Sequence, residues 1–182
     1  MTYNEAIQFL QSYQPMPDME RDVTPEEAAK EETLIGQWGK ILEFFMDNPS
    51  EEAIPLFINS LGDPSGLGFY QRLNAYLNLF PENVKLPYIL EALHSPSAVI
   101  RAKAALDFSI DTDSNDPKLI QALLNALNDS DVDVRLGAAT TLNYKAETKL
   151  FDWRSYETTL QNAYELETEE DVKELYEELF SL

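Results

Sequence analysis

Ala92-Leu93-His94-Ser95-Pro96-Ser97-Ala98-Val99-Ile100-Arg101-Ala102-Lys103-Ala104-Ala105 is matched further along the chain by Ala126-Leu127-Asn128-Asp129-Ser130-Asp131-Val132-Asp133-Val134-Arg135-Leu136-Gly137-Ala138-Ala139. Each stretch closes an apolar run on a leucine and breaks it with residues that stop one helix and cap the next. Each then restarts toward an arginine and a pair of alanines. Self-similarity of this kind decides the architecture before any local propensity does.

Outward from these two stretches the pattern continues. First helices are expected over residues 54–61, 86–93 and 120–127, and all three end in leucine. Second helices align on Arg72, Arg101 and Arg135, with small residues at matching places. From Leu61 to Arg72 there are eleven positions, against eight from Leu93 to Arg101 and from Leu127 to Arg135. The first repeat therefore carries three extra residues, in the turn containing Gly66 and Gly68. A looser fourth unit spans 156–182, with Leu160, Ala163, Tyr164 and Leu166 in its first helix and Val172, Leu175, Tyr176 and Leu179 in its second; Lys173 stands in the arginine's place. Alternating β-branched runs of useful length are missing, so no strands are assigned and the class is all-α.

The quoted segments resemble the HEAT repeat consensus, which has a leucine-ended helix, an aspartate-containing turn, a valine-arginine pair and paired alanines. The resemblance covers residues 50–182. It implies a right-handed α-α superhelix, a short solenoid of about three to four helical hairpins. One hairpin cannot bury its apolar face alone, and stacking makes a continuous core. Ala104, Ala105, Ala138 and Ala139 would let second helices approach closely. Arg101 and Arg135 would satisfy carboxylates and helix-end carbonyls in adjacent turns, with Asp129 and Asp131 as candidates.

The first fifty residues stand outside the repeats. Ala6, Phe9, Leu10 and Tyr13 share one helical face; Pro15 and Pro17 mark a loop over 14–23; and Thr24-Pro25-Glu26-Glu27 is a capping box that starts a helix running to about Met46. That helix should bury Leu34, Trp38, Ile41, Leu42 and Phe45. The expected organisation is a helical cap over 1–52 and a repeat stack over 53–182, forming one compact domain.

The 182 residues carry 33 acidic and 13 basic side chains, a formal net charge of −20. Residues 1–52 hold 12 acids and 3 bases, 53–115 hold 6 and 4, and 116–182 hold 15 and 6, so the surplus gathers at the two ends. Neutralising phosphates needs clustered Lys and Arg, which argues against direct nucleic-acid binding and against anionic membranes. A protein with a basic surface is the favoured partner. With no cysteine, disulfides, thiolate metal sites and a cysteine nucleophile are excluded. Polar residues interrupt the N-terminal stretch where a secretion signal would be continuously apolar, and the expected location is cytoplasmic.

Asp111-Thr112-Asp113-Ser114-Asn115-Asp116 and Asp129-Ser130-Asp131-Val132-Asp133 alternate oxygen ligands like the start of a calcium loop. Both lack its glycine and its closing glutamate, where Ala122 and Thr140 stand, so they read as capping turns. His94, the single histidine, ends a first helix, where a donor suits exposed carbonyls. No phosphate loop, nucleophile triad or zinc motif is present, and no catalytic residue, cofactor or metal is assigned. Partner-binding candidates are Phe69, Tyr70, Phe151 and Trp153, aromatics outside regular helices, and Lys103, Asp107, Tyr144 and Glu174 on the second helices that the resemblance places along a concave face. The function expected is a non-enzymatic binding scaffold, an acidic inhibitor or immunity-type protein covering a basic partner. The alternatives are a lyase or chaperone of HEAT-like type, or a structural oligomer.

Overall fold

A computed structural model of the chain describes residues 1–13, 15, 24–62, 68–112 and 114–182. Most of the proline-containing loop, the inserted turn around Gly66, and Asp113 fall outside these. Among the described residues every regular element is helical, and the protein is all-α. The helices are α1 (Tyr3–Ser12), α2 (Pro25–Asp47), α3 (Ala53–Asn59), α4 (Leu73–Leu77), α5 (Glu82–Ala92), α6 (Ala98–Lys103), α7 (Pro117–Ala126), α8 (Val132–Glu147), α9 (Glu157–Leu166) and α10 (Glu170–Ser181). They form two compact units, Met1–Lys85 and Leu86–Leu182. The division expected after residue 52 falls inside the first unit, because α1 packs on α3 and α2 on α4.

In the first unit, capping boxes start both long segments: Thr2 with Glu5 on α1, and Thr24 with Glu27 on α2, where Pro25 occupies the first turn. The core is aromatic. Trp38 meets Phe57 and Tyr70 edge-on at 5.3 and 5.1 Å, and its Nε1 donates to Ser60 Oγ at 2.7 Å. Tyr76 donates its hydroxyl to the Ser50 carbonyl at 2.6 Å. Leu34, expected inside, is 37% exposed and Ile35 is buried in its place. Positions 35, 38, 42 and 45 keep the three-and-four spacing of one helical stripe, and position 34 lies one step round from it.

In the second unit the part of α5 from Leu86 onward leads through the turn at 93–97 into α6. Next, α7 packs on α8 and α9 on α10. The second helices lie in a row, with α8 against α6 on one side and α10 on the other. Ala104, Ala105, Ala138 and Ala139 are all buried at these contacts or beneath them. Gly137 marks the closest approach, since a Cβ there would lie 3.1 Å from Leu106 Cβ and 3.3 Å from the Ala102 carbonyl.

Beyond Lys103, α6 widens into a π turn over Ala104–Phe108. Widening displaces carbonyls from their usual partners, and buried carbonyls need new ones. Ser109 Oγ donates to the Ala104 carbonyl, and Thr141 Oγ1 of α8 donates to the Ala105 carbonyl, both at 2.6 Å. At the far end of α8, Lys149 has φ +62°, the left-handed position where glycine normally ends a helix, while the Leu150 amide donates back to the Lys145 carbonyl.

Two substitutions of opposite sign test this packing. Ala105→Leu overfills the contact between α6 and α8 and is expected to cost about 1–3 kcal/mol in a chemical denaturation curve. Lys149→Gly relieves the left-handed strain and is expected to stabilise by about 1 kcal/mol in the same measurement.

Candidate protein-interaction surface

The second helices are held in register by two arginines. Arg101 donates from Nε and Nη2 to the two carboxylate oxygens of Asp129 at 2.7 and 2.8 Å, and from Nη1 to the Ser95 and Pro96 carbonyls. Arg135 repeats the arrangement one layer on. It donates to both oxygens of Glu167 at 2.8 and 3.0 Å and to the Asp129 and Ser130 carbonyls. Each guanidinium thus closes its own turn and grips the carboxylate of the next. Asp129 belongs to this ladder as expected, whereas Asp131 caps α8 by accepting from the Asp133 and Val134 amides. Arg72 departs from the pattern and pairs at the surface with Glu43 at 3.2 Å.

Both ladder carboxylates are held below the ordinary range. For Asp129 the hydrogen bonds from Arg101 dominate. For Glu167 burial pushes upward, and the bonds from Arg135 and from the Thr168 and Glu169 amides outweigh it.

The oxygen-rich loop at 111–116 has an internal cation. Lys145 is fully buried on α8, and its Nζ donates to the Thr112 carbonyl at 2.8 Å and to Thr112 Oγ1 and the Ser114 carbonyl at 3.2 Å. Asp116 of the same loop caps α7 through the Lys118 amide. These bonds account for oxygens that in the sequence resemble metal ligands. Among the described residues no cluster of His, Asp and Glu could hold a metal ion.

With α8 fixed in this way, its remaining face is outward. Gly137 and Thr141 face α6, Asn143 faces α10 through a bond from Nδ2 to Glu178 Oε2 at 3.0 Å, and Val134, Ala138 and Leu142 are buried. That leaves Asp133, Thr140 and Tyr144 on one stripe. Asp133 is exposed, Thr140 half-buried, and Tyr144 is 43% exposed. On α6 the flanking pair is Lys103 and Asp107, joined at 2.7 Å. On α10 the flanking residues are Glu174 and Glu178, both exposed.

Four of the eight expected binding residues, Lys103, Asp107, Tyr144 and Glu174, therefore occupy the second helices of one unit. The four aromatics outside regular helices do not join them. Tyr70 is buried against Trp38 and donates to the Ser60 carbonyl. Phe69 packs onto Gly39, where a Cβ would meet its ring at 2.5 Å. Phe151 and Trp153 are buried in the second unit, the latter against Phe180. His94 accounts for a helix-end carbonyl, its Nδ1 lying 2.7 Å from the Leu90 oxygen. Thr140 and Glu178 are not among the binding residues expected from the sequence; their spacing of four residues from Tyr144 and Glu174 is the available signal, and Asn143 carries none.

Compared with family models, curated proteins and solved structures, the chain has no significant match. Among the described residues no helix is long and apolar enough to cross a membrane.

The ladder has a pH signature. A carboxylate whose value is depressed on folding contributes stability above its unfolded value, near 4, and that contribution is lost as pH falls through the folded value. Wild type is expected to exceed Glu167→Gln by roughly 1–3 kcal/mol at neutral pH. Denaturation curves should show this difference shrinking as pH falls from about 6 to about 3; a difference that stays constant would contradict the ladder's role.

Proposed function

We propose that this chain is a HEAT-like repeat protein that binds another protein without catalysing a reaction, and that it acts as an acidic inhibitor or immunity-type protein covering a basic partner. In this reading its helices form the right-handed superhelix of that family, and the row of second helices in the second unit is the binding face. The proposal draws the partner as a cationic protein, such as a nuclease-like toxin whose nucleic-acid site the acidic face would occupy.

The observation that carries it is the distribution of committed and uncommitted charge. Arg101 and Arg135 are engaged by Asp129 and Glu167 within the ladder, Lys145 is buried in its loop, and Lys103 is tied to Asp107. The carboxylates of Asp133 on α8 and of Glu174 and Glu178 on α10 remain exposed on the same row of second helices as Tyr144. An exposed aromatic with a carboxylate such as Glu178 on the adjoining helix suits an arginine or lysine side chain, which can lie over the ring while pairing at its edge. Electrostatic attraction across such a face speeds association more than it tightens the final complex.

Affinity capture from the native source, followed by kinetics on the captured protein, tests this. A basic partner is expected, with an association rate that falls at least tenfold or so between low salt and roughly 0.5 M salt. The double variant Glu174→Lys/Glu178→Lys should slow association by a similar factor, and Tyr144→Ala should mainly hasten dissociation. An acidic partner, or rates indifferent to both salt and these variants, would overturn the proposal.

A further inference from the structure

At the C-terminal end of α8 a cavity of about 390 Å³ is lined by Glu147, Lys149, Phe151, Asp152, Trp153 and Arg154, among others. Its volume lies in the range of small-molecule sites, roughly 300–1,000 Å³. The cavity belongs wholly to the second unit and is argued independently of the binding face described above.

Charged side chains of both signs gather around it. Elsewhere in the unit Arg101, Lys103, Arg135 and Lys173 each pair with a carboxylate. Here two cationic and two acidic side chains line one cavity together with the last residue, Leu182, and among the described residues none of the four side chains makes an ion pair. Asp152 instead accepts from Ser155 Oγ at 2.7 Å, and Arg154 lies over the Trp153 ring, 4.6 Å from its centroid. Stacking fixes the plane of the guanidinium and leaves its N–H edge free to donate. Lys149 holds the left-handed backbone position at the helix end, where glycine would be less strained. Trp153 Nε1 is buried with no acceptor among the described residues. Phe151 and Trp153 supply an apolar wall.

We infer that this cavity binds a small zwitterion with the chemistry of a free amino acid. Its carboxylate is held by Lys149 and Arg154, its ammonium by Glu147 and Asp152, and its side chain lies toward Phe151 and Trp153. A simple anion would leave the two carboxylates facing it, and a simple cation would leave the two cations; a molecule carrying both charges answers all four groups.

The test is a titration of the full chain, followed by the nitrogen-15 NMR resonance of the Trp153 indole. The probes are L-leucine, L-phenylalanine, their N-acetyl derivatives, which lack the ammonium, and their amides, which lack the carboxylate. The free amino acids should shift the resonance saturably, and either derivative should bind about tenfold more weakly or worse. Lys149→Gly should weaken binding by a similar factor while folding at least as well as the parent, so that loss of binding is separated from loss of fold. Arg154→Gln, at an exposed position, gives a second reading with the same expectation. An indole resonance unmoved by the free amino acids, derivatives that bind as well as the parents, or undiminished binding by Lys149→Gly would each overturn the inference.

Discussion

A guanidinium that bridges two turns is the constraint from which the second unit's geometry follows. Arg101 and Arg135 each present a flat fork of donors, and each divides it between the carbonyls at its own helix start and a carboxylate one layer further along. The five donors of arginine permit both tasks at once, and a lysine's single ammonium would not span them with the same geometry. Because the acceptors on one side are backbone carbonyls, the guanidinium ties the main chain of its own turn to a carboxylate of the next. The alanine and glycine contacts between α6 and α8 set how close the helices come, while the ladder sets their register.

Much of this arrangement was legible because it rests on residues whose chemistry and position repeat. The arginines stood at equal distances from leucine-ended helices, and Thr24-Pro25-Glu26-Glu27 announced its helix through local bonds alone. What escaped the reading depends on contacts between distant segments. Glu167, the partner of Arg135, lies in the unit where the repeat is weakest. The π turn is sustained by Thr141 from another helix. Lys145 reads as a surface residue until its place on the stripe with Ala138 and Leu142 is noticed, and then burial follows from the same spacing that buries them. The irregular aromatics Tyr70, Phe151 and Trp153 were open to two readings, and the structure puts them inside, where broken repeats leave space that large rings fill.

The acidic surplus takes on a different meaning once the cations are located. A net charge of −20 is a property of the whole chain, but its local expression depends on where the few bases are engaged. The ladder arginines each take one carboxylate with them, while Lys145 is buried against carbonyls and a hydroxyl and so removes a positive charge from the surface without removing a negative one. The two cations lining the cavity beside Trp153 make no ion pair among the described residues.

The ties that hold the second unit also have nearly constant reach along the chain. Arg101 to Asp129, Arg135 to Glu167, Lys145 to Thr112 and Thr141 to Ala105 span 28, 32, 33 and 36 residues. Each joins a segment to the next and none reaches further. The loops that must close during folding are therefore all of similar, moderate length, and closing one adds little to the entropy cost of the next. Assembly can advance by adding one hairpin to those already docked, with Lys145 tying down Thr112 and Ser114 only when α8 arrives. The order in which the unit comes together is thus written in the same bonds that keep it folded.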